Sequence, residues 1–373
     1  MAIALRRAES EGDLLRFIQF PRKIYTDASL WVPPLDYERK VFLNPKVNPY
    51  FDHAEVEHFL ACTPGGKIKG RISAIVDRDH NAFHNENTGF FGMFESINDP
   101  AVASTLLDAA GQWCRDKGMD RMRGPMNLST NHECGLLVEN FDDPPVFGLP
   151  YNPPYYADLF QQWGLQKLKD LISFEIQITG IPPYLERAVT RIKKRNHFTL
   201  RSLNMRQFDR EIETFWNIYN SAWETNWGFV PMNRKEFVFA ASEMKRIVNP
   251  ELCFVAEVNG EAAGFSLTLP DVNQPLRKLN GQLFPFGWLK FIQGKKNIDR
   301  YRVITLGVKK KFQRLGIDAC FYHATYQKLL DLNIPMADLS WVLEENQAII
   351  GPIKKIGGTP YKRHRIYEHN LIH

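Results

Sequence analysis

The chain has 373 residues, 44% hydrophobic and 24% charged, which excludes a disordered, collagen-like or coiled-coil protein. Single cores stop growing at roughly 250–300 residues, so two domains are expected. The net charge is +5, and residues 300–373 alone carry 12 Lys/Arg against 6 Asp/Glu, which points to a local anionic partner at that end.

Elements follow in chain order. Strands at 57–63 and 70–76, joined by Pro64-Gly65-Gly66, read as a hairpin, with a third strand at 89–95. Asp99-Pro100 caps a helix that ends before Gly118, with Ala103, Leu106, Leu107, Ala110, Trp113 and Cys114 at helical spacing. A strand at 120–124, a helix at 155–163 and a strand at 171–178 close this unit. The second unit opens with a strand at 198–203 and a helix at 209–223. Another helix begins at Asn233, which with Glu236 has capping-box spacing. Strands at 252–258 and 261–269 meet at Asn259-Gly260, a hairpin turn. A strand at 302–308, a helix at 317–332, a strand at 337–342, a short helix at 346–355 and a strand at 361–368 follow. The two units share most of this order, and the boundary is placed at residues 180–183.

The stretch Val303-Ile-Thr-Leu-Gly-Val-Lys-Lys-Lys-Phe-Gln-Arg-Leu-Gly-Ile-Asp-Ala runs from an apolar strand through a basic turn into a helix. Gly316 allows close backbone approach, and the first amides of the helix have no intrahelical acceptor. They favour an anion, and a pyrophosphate suits such a site. Gln313 and Arg314 add donors, and Lys309, Lys310 and Lys311 add longer-range attraction.

Gln313-Arg314-Leu315-Gly316-Ile317-Asp318 resembles the acetyl-CoA-binding motif of the GCN5-related N-acetyltransferases (GNAT), Gln/Arg-x-x-Gly-x-Gly/Ala, with Asp318 replacing the last small residue. The resemblance implies an α/β fold of two GNAT-like units, each a mixed, mostly antiparallel twisted sheet flanked by helices. The units would be 1–180 and 181–373, the second holding acetyl-CoA or another acyl-CoA. It implies that Leu306, Gly307 and Val308 hold the acyl-pantetheine arm and that Asn346 lies near CoA. Ile353 stands where the family often has a Tyr general acid.

On the acceptor side, thioester aminolysis needs a neutral amine and a protonated leaving group. Glu344, Glu345 and Glu224 are the candidate bases, and Trp223, Trp227 and Phe229 a candidate aromatic wall, with core packing an equal alternative. In the first unit Asn127, Ser129, Thr130, Asn131, His132 and Glu133 follow a strand end, where α/β sheets place ligands, or satisfy their own turn. This segment, Tyr151-Asn-Pro-Pro-Tyr-Tyr156 and residues 223–231 resemble an uncharacterised bacterial GNAT-like family. The sequence identifies no thiolate-stabilising partner for Cys134, which is not read as a nucleophile. Residues 90–99 carry Glu95 and Asp99 in place of a basic glycine turn, so the first unit is expected not to bind CoA.

Five dispersed cysteines without a CxxC pair fit a reducing, cytoplasmic compartment and give no metal site. No signal peptide and no membrane span are read. The aromatic run 283–291 reads as a loop or short core element, with a membrane-surface anchor as the alternative. The basic stretch 187–206 reads as a solvated helix face, not a nucleic-acid site. The expected reaction is direct transfer of an acyl group, acetyl first, from CoA to a small-molecule amine. The alternatives are an inactive acyl-CoA-binding protein, and an aminoacyl or long-chain-acyl transferase using tRNA or acyl carrier protein.

Overall fold

The computed structural model describes residues 3–25 and 29–372. It contains two compact units. The first is Met1–Leu171 with Leu276–Phe291 and Lys362–His373, and the second is Ile172–Pro275 with Ile292–Tyr361. A single boundary near residue 180 therefore describes the chain only approximately, because the first unit also takes in two later segments.

The first unit contains β1 (Ala4–Arg7), α1 (Glu11–Gln19), α2 (Asp36–Phe42), β2 (Ala54–Cys62), β3 (Ile68–Asp77) and α3 (Arg78–His84). It continues with β4 (Thr88–Ser96), α4 (Pro100–Asp116), β5 (Arg121–Gly124), β6 (Met126–Asn127), β7 (Glu133–Cys134), β8 (Leu136–Glu139) and α5 (Tyr156–Trp163). Strands β1 to β4 pair antiparallel in sequence order, and β4 pairs parallel with β5. The far edge of β5 pairs with Tyr367 to Asn370 at the end of the chain. Helix α4 starts as its sequence dictates, with the Asp99 side chain accepting from the Ala101 N–H and Pro100 at the first turn. Its Ala103, Leu106, Leu107, Ala110 and Cys114 are buried with Phe59, Ile72, Phe91 and Phe160 in one core.

Strand β9 (Gln166–Gln177) leads into the second unit, which contains α6 (Pro183–Arg195), β10 (Thr199–Ser202), α7 (Phe208–Ala222), α8 (Arg234–Met244), β11 (Cys253–Val258) and β12 (Glu261–Pro270). The chain continues with α9 (Asn273–Leu276), α10 (Gly287–Lys295), β13 (Arg300–Val308), α11 (Ile317–Asp331), β14 (Met336–Leu343), α12 (Gln347–Lys355) and β15 (Thr359–Asn370), of which residues 276–291 and 362–373 belong to the first unit. Strands β10 to β13 pair antiparallel in order, and β13 pairs parallel with β14. The Asn259-Gly260 turn has both residues at positive φ, 50° and 81°, as a type I′ hairpin requires. The capping box at the start of α8 is complete: Asn233 accepts from Glu236 N–H, and the Glu236 carboxylate accepts from Asn233 N–H. Helices α11 and α12 cover one face of the sheet through Cys320, Tyr326, Leu329, Ile350 and Ile353.

Candidate functional site

In the second unit, β13 and β14 pair only from Arg300↔Met336 to Val303↔Leu339. Both strands continue, β13 to Val308 and β14 to Leu343, so they fork after Val303. Past the fork β13 keeps its bonds to β12 on its other side, from Thr305↔Leu267 to Val308↔Gly264. The β14-facing edge of Leu306, Gly307 and Val308 is thus left beside the opening, as a strand edge able to accept another extended chain.

The turn after β13 is held by its apolar side chains. Leu315 packs against the small core formed by Phe254, Ala256, Ala263, Ile317 and Phe321, and Ile317 belongs to that core. Gln313 Nε2 donates across the turn to the Val308 carbonyl at 3.3 Å. Gly316 caps α11 with φ 78°, and a Cβ there would lie 2.5 Å from Ile192 Cδ1. The first intrahelical bond runs from Cys320 N–H to the Gly316 carbonyl, so the amides of Ile317, Asp318 and Ala319 have no intrahelical acceptor. They meet the requirement for anion binding at a helix N-terminus, although Asp318 stands in the same first turn.

The charge around this turn differs from the sequence expectation. Lys309 and Lys311 are paired with Glu261, and Lys310 with Glu224 at 3.0 Å. These pairs are exposed and weak, but they place opposite charge beside each lysine. Further positive charge comes from α6, whose last turn carries Lys193, Lys194 and Arg195. Ile192 lies against Gly316, and Asn196 Nδ2 donates to the Leu315 carbonyl at 3.0 Å. The basic stretch 187–206 therefore has a specific place beside the phosphate-loop candidate.

The acceptor candidates fall into three groups. Glu224 lies at the turn, through its pair with Lys310. Glu344, half-buried, and Glu345, exposed, follow β14, and Asn346 caps α12. Ile353 is buried in the core beneath α12 and offers no proton donor. Trp223 lies over β13: a Cβ on Gly307 would strike its ring. Tyr219 bridges Trp223 and Phe229, at ring separations of 5.0 and 5.6 Å, and Phe265 lies 5.9 Å from Trp223. Trp223 and Phe229 thus share one aromatic cluster, and Trp227 lies on the same connection between α7 and α8.

The fork also carries a buried polar group that the sequence motifs do not include. Asp338 accepts from the Tyr361 hydroxyl at 2.7 Å and from Ser340, and Arg302 lies 3.7 Å away. Burial raises the Asp338 carboxyl above its ordinary range, against the opposing pull of Arg302 and its hydrogen bonds. Asp338 and Ser340 alternate with Leu339, which packs on the α11 side, so they occupy the opposite face. The alternation of polar and apolar residues in Met336-Ala-Asp-Leu-Ser-Trp is the signal that could have revealed them.

In the first unit β4 and β5 also pair only briefly, from Thr88↔Arg121 to Phe90↔Arg123. Here the chain turns in to fill the opening. A Cβ on Gly92 would strike the Met126 carbonyl, and Met93 N–H donates to Asn127 Oδ1 at 2.8 Å. Glu133 is bonded to Arg39 and accepts from Asn127 Nδ2 at 2.9 Å. Burial alone would raise its carboxyl, but Arg39 and Asn127 hold it below the ordinary range. His132 is half-buried, desolvation lowers its pKa to about 4, and its Nδ1 lies 3.0 Å from Ser129 Oγ. It is therefore a neutral, packed imidazole against Phe42 and Tyr50. Asn131 N–H donates to Ser129 Oγ at 3.2 Å, so this part of the segment does satisfy its own turn.

A cleft in this unit is lined by Glu133, Asn127, Met93, Arg71 and Glu95. Burial pushes the Glu95 carboxyl up to about 7 despite Arg71 at 3.7 Å and hydroxyl donors from Tyr156 at 2.7 Å and Tyr25 at 3.1 Å. Cys134 is buried, as are the other four thiols. Among the described residues no group of three His, Cys, Asp or Glu is placed to hold a metal, and no helix is long and apolar enough to cross a membrane.

No family model matches the chain. It is 38% identical over 371 residues to the "Bacterial ceramide synthase" of Caulobacter vibrioides (strain NA1000 / CB15N), covering 97% of this chain and 96% of the relative. It is 35% identical over 370 residues to "Protein YghO" of Escherichia coli (strain K12), covering 97% and 94%. Among solved structures, a tandem GNAT protein from the clavulanic acid biosynthesis pathway superposes with a TM-score of 0.59 at 10% identity, covering 99% of both chains. With its forked sheets and two repeated units, the chain belongs to the bacterial family of these two relatives, and its fold is that of a tandem GNAT protein.

Proposed function

We propose that the protein is an acyl-CoA-dependent N-acyltransferase whose second unit binds the donor and whose acceptor is the amine of a long-chain amino alcohol. The observation that carries this reading is the open fork of β13 and β14, with the uncapped amides of α11 at its end, in a chain 38% identical over nearly its whole length to a protein named ceramide synthase. Leu306, Gly307 and Val308 would pair with the pantetheine arm. Gln313, Arg314, Leu315, Gly316, Ile317 and Asp318 would surround the pyrophosphate, with Lys193 to Arg195 supplying positive charge, and Asn346 would stand near CoA. The relative's name favours a long acyl chain over acetyl, because a ceramide is a fatty amide of a long-chain base.

Transfer would be direct. The neutral amine attacks the thioester carbonyl, the C–N bond forms as the C–S bond breaks, one amine proton leaves to a base, and the thiolate takes up a proton. Glu344, Glu345 and Glu224 remain the candidates for the base. Ile353 removes the family's frequent tyrosine acid, so the thiolate would be protonated by solvent or another group. Trp223, Trp227 and Phe229, next to Gly307, would form an apolar wall for the acceptor. Of Asn131, His132 and Glu133, Glu133 lines the cleft of the first unit and would contribute to an acceptor site there, with Asn131 and His132 beside it in sequence.

The test is calorimetric binding of acetyl-CoA and a long-chain acyl-CoA, followed by turnover with a long-chain amino alcohol. Binding of the long-chain donor with amide formation is expected. Folded protein that binds neither donor refutes the cofactor assignment. Binding without turnover across an amine panel indicates instead a non-catalytic acyl-CoA-binding protein.

A further inference from the structure

Helix α10 and the turn before it expose apolar surface where a surface helix ordinarily hides it. Phe284, Phe286, Trp288, Leu289 and Ile292 are 79%, 68%, 45%, 43% and 53% exposed, five of the eleven exposed large hydrophobics among the described residues. No residue of α10 is buried. The helix rests on its glycine side: a Cβ on Gly294 would lie 2.8 Å from Pro275 Cβ, and one on Gly287, seven residues earlier, 3.7 Å from Leu279 Cδ2. At helical spacing Leu289 and Ile292 point roughly opposite to Gly294, with Trp288 flanking them. The apolar face therefore looks outward, inverted from the usual arrangement of an amphipathic surface helix.

The same stretch is uniformly basic. Between Asp271 and Asp299 the chain carries Arg277, Lys278, Lys290, Lys295 and Lys296 and no Asp or Glu. Contiguous exposed apolar surface marks an interaction site. Phenylalanine and tryptophan rings next to lysines, on a helix lying flat on the protein, fit the boundary between headgroups and acyl chains of an anionic bilayer. A purely apolar protein partner would bury the rings but leave the exposed Lys290, Lys295 and Lys296 without a counterpart, whereas an anionic lipid surface takes both.

We propose that residues 283–296 dock the protein on the surface of a bilayer containing anionic phospholipid, with Phe284, Phe286, Trp288, Leu289 and Ile292 at the interface and Lys290, Lys295 and Lys296 against the headgroups. The inference goes beyond the proposed reaction and does not depend on it.

The test is co-sedimentation of the full chain with vesicles of phosphatidylcholine alone and with one-third phosphatidylglycerol, with no acyl donor or acceptor present. The result is thus read separately from that of the acyl-transfer assay. Wild type is expected to bind the anionic vesicles and to lose binding as salt rises. Joint Lys290→Gln, Lys295→Gln and Lys296→Gln should weaken anionic-vesicle binding about a hundredfold, at roughly fivefold per lysine. Joint Phe284→Ser, Phe286→Ser and Trp288→Ser should weaken it at least about tenfold with an unchanged unfolding midpoint. Three outcomes overturn the proposal: no wild-type binding to anionic vesicles, equal binding by the serine variant, or a wild-type dimer that the serine substitutions dissociate while vesicle binding is absent throughout.

Discussion

Gly316→Ala is the sharpest probe of the donor loop. Gly316 has φ 78°, where a residue with a Cβ costs about 1–2 kcal/mol more than glycine. The new Cβ would lie 2.5 Å from Ile192 Cδ1 and 2.8 Å from Cγ1, so α6 or the side chain must move, at about 1–3 kcal/mol. Stability should fall by about 2–5 kcal/mol in total. Thermal or denaturant unfolding measures this, and Ile192→Ala separates the two costs. In the double variant the clash is gone and the dihedral cost remains, so the cycle should show a coupling of at least about 1 kcal/mol. Calorimetry with a long-chain acyl-CoA supplies the functional readout. A loop shifted from its anion-binding geometry by the dihedral cost alone should bind the donor about tenfold more weakly in both variants. A neutral Gly316→Ala would refute the loop geometry. Lost stability with unchanged donor affinity would refute its assignment to the pyrophosphate.

Three further outcomes are expected. Gly307→Val should displace the Trp223 ring, since even a Cβ strikes it, and should alter tryptophan fluorescence while weakening the donor KM. Glu95 is raised from 4.5 to about 7 by burial among Arg71, Tyr25, Tyr155 and Tyr156, so the folded state holds its proton more tightly. Its contribution is complete below pH 4.5 and is lost as pH rises toward 7, roughly 3 kcal/mol in all. Glu95→Gln should flatten that part of the stability profile, and an unchanged slope would count against the assignment. All five thiols are buried, with Cys114 raised to about 12 and Cys320 to about 11 by desolvation, so a thiol reagent should react only after unfolding and should not inhibit native turnover.

Local signals were legible wherever one residue type decides one geometry. Asp99-Pro100, Asn233 with Glu236, and Asn259-Gly260 each do in the structure what their chemistry predicts, because caps and tight turns are settled within four residues. What escaped notice depends on partners far away in sequence. Arg302 meets Asp338 only because two parallel strands come together, and Glu133 meets Arg39 of α2 from 94 residues away in sequence. Glu224 is paired with Lys310, whose position is set by the turn after β13. The lysines of that turn form an attractive patch in the sequence, but Glu261 stands opposite two of them. The last turn of α6 reads from its own sequence as a solvated face, because nothing there says which loop Ile192 touches.

The two forks show why repetition of a fold need not repeat its chemistry. In each unit a parallel strand pair separates after a few residues, which creates an opening with unpaired backbone edges. Such an edge must find a partner. In the first unit the chain supplies it: Met126 and Asn127 enter against Gly92 and Met93, and only glycine at 92 lets the backbone come that close. In the second unit the chain after β14 instead turns into α12, with Asn346 at its cap, and Leu306 to Val308 keep one edge toward the opening. Backbone filling the first opening leaves no room there for a second extended chain, whereas the second opening ends at helix amides that have no intrahelical acceptor. The proposed donor binding therefore rests on the second fork. Gly92→Ala should lower the thermal unfolding midpoint, because its Cβ would strike the Met126 carbonyl; an unchanged midpoint would count against the filled opening.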